Sequence, residues 1–220
     1  MYIELIALGG ICWTITYILI IVKGFKDKTY GMPAAALVGN ITWEFLYSFK
    51  YIPPDIQFYN NLVWFSFDLV ILYQLFRYWK TDLSYIPSKV FYPSMIFFLF
   101  VGLMIHYFIA KEFTPANGAA YSGFGQNVLM SILFPFMLFR RRSLHGQSIS
   151  IALMKLIGTL GPAAAFYFFP VDLAGSKLMA FMFVLIFIFD LIYLICVILV
   201  KNGKLFSLTD NKADVEVNSL

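Results

Sequence analysis

Apolar residues in this chain come in long, nearly unbroken runs, not in the spaced stripes of a water-soluble amphipathic helix. About 20 apolar residues carry a helix across roughly 30 Å of hydrocarbon. Seven stretches approach that length: 3–22, 33–49, 57–76, 90–110, 120–139, 149–169 and 178–200. The first has no basic leader or small-residue cleavage site, and is expected to be a retained span, not a signal peptide. The second is the shortest and carries a carboxylate. Short connections hold the turn formers Pro33, Pro53-Pro54, Pro87, Pro115, and Pro170 with Gly175. The pattern predicts an all-α bundle of seven transmembrane helices over residues 1–201, a multi-pass integral membrane domain. A polar tail, 202–220, is expected to be partly disordered.

Charge adds an orientation. Lys23, Lys26 and Lys28 follow span 1, Arg77, Lys80 and Lys89 follow span 3, and Arg140, Arg141 and Arg142 follow span 5. Lys201 and Lys204 follow span 7, whereas the intervening loops carry one basic residue each: Lys50, Lys111 and Lys177. Under the positive-inside rule this alternation puts the N-terminus outside and the tail in the cytoplasm. Composition agrees: the 220 residues are 61% hydrophobic, 20% aromatic and only 13% charged, with a mean hydropathy of +0.80. A soluble domain is nearer a quarter charged, so an ordinary cytosolic enzyme and a disordered chain are excluded. The net charge of +4 points to anionic lipid headgroups, not to nucleic acid. Cys12 and Cys196 lie in apolar runs and read as small buried hydrophobes.

Ionisable side chains at bilayer depth usually face the bundle interior and often mark function. Four stand near mid-span: Glu44, Asp68, Lys155 and Asp190. Asn40, Trp43, Glu44 and Tyr47 share one helix face at i, i+3, i+4 and i+7. Either they form a network that locks helix packing, or Glu44 works as an acid, since apolar surroundings favour the protonated carboxyl a general acid needs. Asp190, with Tyr193 one turn on, repeats the acid-x-x-Tyr spacing of Glu44 and Tyr47. Its alternative role is a partner for Lys155. Asp68 follows Trp64 and Asn61 along span 3, and structural and functional roles are equally open to it. Lys155 lies nearer the cytoplasmic end of its span, from which it can snorkel to headgroups beside Arg140–Arg142 or pair internally. His106, Gln126, Asn127 and Asn40 are expected to line the outer part of a central cavity. Two histidines without spaced co-ligands give no metal or haem site.

Tyr2, Tyr51, Tyr59, Tyr78, Trp79 and Tyr85 fit an interfacial aromatic belt. Trp13, Tyr17, Trp43, Tyr47, Trp64 and Tyr193 lie deeper, where rings can bind a hydrocarbon and steady a positive charge forming on it. Acid, opposed carboxylate and aromatic chamber suit carbocation chemistry on a lipid-like substrate. A small transporter uses buried acids too. The strings Phe67-Asp68-Leu69 and Phe189-Asp190-Leu191 hint at the paired three-helix repeats of such a carrier.

The string Gly24-Phe25-Lys26-Asp27-Lys28-Thr29-Tyr30-Gly31-Met32, followed by Asn40-Ile41-Thr42-Trp43-Glu44, resembles the integral-membrane terpene cyclases of fungal meroterpenoid and indole-diterpene pathways. Asp190 with Tyr193 is similar to an Asp-x-x-Tyr in that family's last span. The resemblance implies a catalytic pair, Glu44 and Asp190, and metal-independent cyclisation of a prenylated, epoxidised substrate without any cofactor. It also implies membrane lipids and a hydrophobic isoprenoid compound as partners. Lys155 stands where the resemblance leads one to expect an arginine.

Overall fold

The computed structural model describes residues 1–53, 56–169 and 175–206, so the expected disorder of the tail falls largely outside the described residues, as do Pro54 and Pro170. The described residues form an all-α bundle: α1 (Tyr2–Asp27), α2 (Ala34–Phe49), α3 (Ile56–Tyr78), α4 (Lys80–Leu83), α5 (Ser88–Glu112), α6 (Pro115–Arg141), α7 (Ile149–Phe168) and α8 (Lys177–Lys201). The seven long helices coincide with the seven apolar runs. Their ends follow from local chemistry. Thr114, Ser148 and Ser176 accept hydrogen bonds from backbone N–H groups of the first turns of α6, α7 and α8, the usual side-chain N-cap. Pro115 occupies a first-turn position of α6, where its missing N–H costs nothing.

Five helices, α1, α5, α6, α7 and α8, are long and apolar enough to cross a membrane. The protein is therefore a multi-pass membrane bundle. α2 and α3 fall outside that set for visible reasons. α2 has 16 residues, about 24 Å at 1.5 Å per residue, and α3 carries Asn61, Asp68 and Gln74 buried inside the bundle. α2 packs against α3, α5 and α6 and is buried on nearly every side, which lets it carry Asn40 and Glu44 away from lipid.

α8 shows the inverse arrangement. Met179, Met182, Ile186, Asp190, Tyr193 and Val197 are buried at three- and four-residue spacing, while Leu178, Phe181, Val184, Phe187 and Leu191 face outward. A polar group on the inner stripe and hydrocarbon outside is the pattern of a lipid-facing helix. α1 and α7 pack closely because small residues meet: a Cβ on Gly161 would lie 2.6 Å from the Leu5 carbonyl oxygen, and one on Gly9 would lie 2.4 Å from the Pro162 ring. Of the expected belt residues, Tyr59 and Tyr85 are exposed, but Trp79 is buried, stacked on Phe91 at 4.2 Å between ring centroids.

The loops at the basic end are tied by a latch. The buried Arg141 guanidinium donates to both oxygens of Asp82 at 2.5–3.1 Å, to the Tyr30 carbonyl at 3.0 Å and to the His145 carbonyl at 2.8 Å. Asp27 accepts the Gly146 N–H at 2.7 Å. Most of the sequence string from Gly24 to Met32 is thus structural: Tyr30 and Met32 are buried in the core and Asp27 fastens a neighbouring loop. Burial pushes the Asp82 carboxyl up, but the Arg141 fork, the Tyr30 hydroxyl and the Arg140 charge together outweigh it and hold the group below its ordinary value. Burial and the adjacent Asp82 push the Tyr30 phenol up to about 12.

A depressed carboxylate contributes stability above its unfolded pKa of about 3.9 and loses it as pH falls through the folded value. A raised phenol contributes below about 10 and loses that contribution as pH rises through 12. Asp82→Asn is therefore expected to melt below wild type at pH 6, with the gap narrowing below about pH 4. Thermal unfolding of detergent-solubilised protein across that range checks this, and a gap independent of pH would remove Asp82 as the titrating group.

Candidate functional site

α1, α2, α3, α6 and α7 surround a cavity of about 290 Å³. Aromatic side chains supply much of its wall: Trp13 and Tyr17 from α1, Trp43 from α2, Trp64 from α3, Phe124 from α6 and Phe166 from α7. Each is held in place. The Trp43 indole N–H donates to the Ala119 carbonyl at 3.1 Å and the Trp64 indole N–H to Thr14 Oγ1 at 3.1 Å. Tyr17 and Trp64 stack at 6.4 Å between ring centroids with an interplanar angle of 18°.

Glu44 is the carboxyl in this wall, and only 1% of it is exposed. Tyr17 donates its hydroxyl to Glu44 Oε1 at 2.6 Å. The Asn40 amide nitrogen stands 2.9 Å from Glu44 Oε1 and 2.8 Å from Asp68 Oδ2, and it also meets the Tyr17 hydroxyl. With two protons to give, that amide satisfies at most two of these acceptors at once. Gln126 donates to Asn40 Oδ1 at 2.7 Å, which fixes the orientation of the Asn40 amide. Glu44 Oε2 and Asp68 Oδ1 have no donor among the described residues. A single asparagine thus bridges two buried carboxyls, one in the cavity wall and one behind it.

Asp190 belongs to a second cluster. The Lys155 ammonium donates to Asp190 Oδ1 at 2.5 Å and to Ser131 Oγ at 2.7 Å, and both charged residues are fully buried. Of the two alternatives open to Lys155, the structure shows the internal pair and not snorkelling towards the headgroups, because a carboxylate partner and a hydroxyl are available inside the bundle. Trp13 connects the clusters: it lines the cavity, and its ring centroid lies 5.8 Å from Lys155 Nζ. The two Phe-Asp-Leu strings therefore have different environments, Asp68 beside an amide and another acid, Asp190 against an ammonium.

Of the expected pocket residues, Asn40, Trp43, Trp64, Trp13, Tyr17, Gln126 and Asn127 line the cavity with Glu44. Asp68, Tyr47, Tyr193, His106 and Asp190 do not. Asp68 is a layer behind Asn40. Tyr47 packs with Leu46 and Ala110 and lies behind the wall residue Trp43, 4.9 Å away between ring centroids, and Tyr193 packs on Phe134. His106 lies in a separate groove between α2, α5 and α6. Small residues escaped the sequence reading: Gly9, Gly10, Ala119, Ala120 and Gly123 give the cavity its room. Their signal is a run of small side chains on α1 and α6 within otherwise bulky spans. Among the described residues no group of three His, Cys, Asp or Glu side chains is placed to hold a metal ion.

Comparison with known proteins agrees with this architecture. The family model described as Pyr4-like transmembrane terpene cyclases matches residues 2–203. The chain is 30% identical over 168 residues to the terpene cyclase macJ of Penicillium terrestre, covering 73% of this chain and 64% of that protein. It is 30% identical over 155 residues to asnovolin H synthase nvfL of Aspergillus novofumigatus, covering 69% of this chain and 63% of that one. To the Pyr4-family terpene cyclase mfmH of Annulohypoxylon moriforme it is 27% identical over 200 residues, covering 86% and 82%. The chain thus spans just under two thirds of the length of the first two relatives. No solved structure matches it.

Proposed function

The chain belongs to the Pyr4-like transmembrane terpene cyclases, and from that premise we propose that it cyclises a prenylated, epoxidised lipid-like substrate by proton transfer, without a metal. The observation that carries the reading is Glu44 in the wall of an aromatic cavity, beside a second carboxyl bridged to it by Asn40. The loop charges and the seven long helices support seven crossings with the N-terminus outside.

Two carboxyls this close in a site without bulk water do not both ionise, so the pair holds a proton. Glu44, on the cavity side, gives that proton to the epoxide oxygen. The more substituted C–O bond breaks, the oxygen becomes a hydroxyl, and the carbon left behind takes electrons from the next double bond to form a ring bond. Trp13, Tyr17, Trp43 and Trp64 present ring faces along which the positive charge moves. Loss of a C–H proton to the carboxylate pair leaves an alkene and restores Glu44. The product is an isomer of the substrate. In this scheme Asp190 is a positioning residue: its ion pair with Lys155 sets the ammonium beneath Trp13, away from the reacting carbons.

Membranes carrying the protein, incubated with epoxidised and unmodified prenyl arenes, are expected to convert the epoxides to ring-containing isomers. The unmodified alkenes should pass through unchanged. Mass spectrometry with structure determination of the products checks this. Cyclisation of the alkenes at an equal rate would place the initiating protonation on carbon instead of oxygen.

A further inference from the structure

Among the described residues a further space is larger than the Glu44 cavity. A groove of about 780 Å³ runs between α2, α5 and α6, well inside the roughly 300–1,000 Å³ range of ligand pockets, of which the Glu44 cavity sits at the lower bound. Its walls include the outward-facing Phe98, Ile105 and Leu129, so it is reached from lipid. It meets the reaction cavity at one side chain: Gln126 lines both. Gly39, on the groove side, and Asn40, on the cavity side, are consecutive residues of α2. A Cβ built on Gly39 would come within 3.5 Å of Gln126 Oε1, so Gly39 faces the Gln126 amide at ordinary contact distance.

The polar atoms where the two spaces meet have a fixed polarity. His106 Nε2 lies 2.9 Å from the Gly39 carbonyl oxygen. A carbonyl only accepts, so Nε2 carries the hydrogen, and in the neutral ring Nδ1 is then a bare acceptor. Gln126 spends its N–H on Asn40 Oδ1, which leaves its carbonyl oxygen as the spare atom. Both His106 Nδ1 and Gln126 Oε1 lack a partner among the described residues, although both are buried. Two unmet acceptors call for a donor.

We propose that this groove holds the non-reacting head of the substrate, and that the head is recognised through a hydroxyl that donates to His106 or Gln126. The prenyl chain then passes Gln126 with its epoxide towards Glu44. This rests on the cyclase reading for the identity of the chain, but the recognition is separable from the chemistry.

Binding is measured on the protein in lipid nanodiscs with a prenylated phenol that lacks an epoxide, and with its O-methyl ether. Wild type is expected to bind the phenol about tenfold more tightly than the ether, one buried hydrogen bond's worth. Gly125 lines the groove and a Cβ there meets nothing within 4 Å, so Gly125→Leu projects into open space and improves helix propensity. It should weaken both ligands tenfold or more. His106→Phe keeps an aromatic ring and removes one of the two acceptors: it should bind phenol and ether alike where His106 takes the hydroxyl, and keep the preference for phenol where Gln126 does. Equal affinity of wild type for phenol and ether would overturn the proposal and leave the groove as a seat for a lipid chain. Unchanged binding by Gly125→Leu would overturn it as well. Neither result touches the cyclase reading, which stands or falls on conversion of the epoxide by wild type.

Discussion

Glu44→Gln is expected to slow cyclisation by about 10²–10⁴-fold, the usual worth of a general acid, while the protein stays folded. The substitution keeps the size of the side chain and leaves an amide oxygen to accept the Tyr17 hydroxyl now 2.6 Å from Oε1. What it removes is the transferable proton. Asp68 then lies behind Asn40, outside the cavity wall, and cannot reach the epoxide in its place. Product formation per folded enzyme, with unfolding temperature as the control, reads the two effects apart. A variant with wild-type turnover would return Tyr17, Asn40, Glu44 and Asp68 to a packing network.

Lys155→Met is expected to destabilise the protein by about 3–5 kcal/mol, because it strands a fully buried carboxylate. The cost is the isolation of Asp190, not the loss of the lysine. Lys155→Met combined with Asp190→Leu should therefore recover most of the stability, since a buried ion pair is often replaceable by packed apolar groups. Lys155→Arg keeps the charge but must fit a wider, planar group against Ser131, Trp13 and Phe134. Thermal unfolding of Lys155→Met, Asp190→Leu and the double variant gives the coupling directly. If Lys155→Met alone melted with wild type, the ion pair would carry no stability and Asp190 would need another role.

Hydropathy located every long helix, since a run that must exclude water from its backbone is legible residue by residue. Its errors are local. α6 begins at Pro115, ahead of the expected 120, because Ala116-Asn117-Gly118 is too weakly apolar to count, although Thr114 caps it. Facing was harder to read. α2 is buried almost all round, so the shared face of Asn40, Trp43, Glu44 and Tyr47 could not reveal that Tyr47 turns towards α5 while Trp43 and Glu44 enter the cavity. The partner of Glu44 was likewise hidden. Asp68 lies 24 residues along the chain on an apolar helix with no distinct inner stripe, and only the α2–α3 packing brings it to Asn40. Snorkelling and internal pairing both stayed open to Lys155 because sequence position reports distance from a membrane face, whereas its fate was decided by a carboxylate 35 residues away.

The most direct test of the central claim uses purified wild-type protein in EDTA with an epoxidised prenyl arene whose epoxide oxygen is ¹⁸O. Proton transfer from Glu44 to that oxygen predicts a cyclic product of the same mass as the substrate, with the label retained as a hydroxyl. A hydrated, uncyclised diol, or no reaction until a divalent metal is restored, would contradict it.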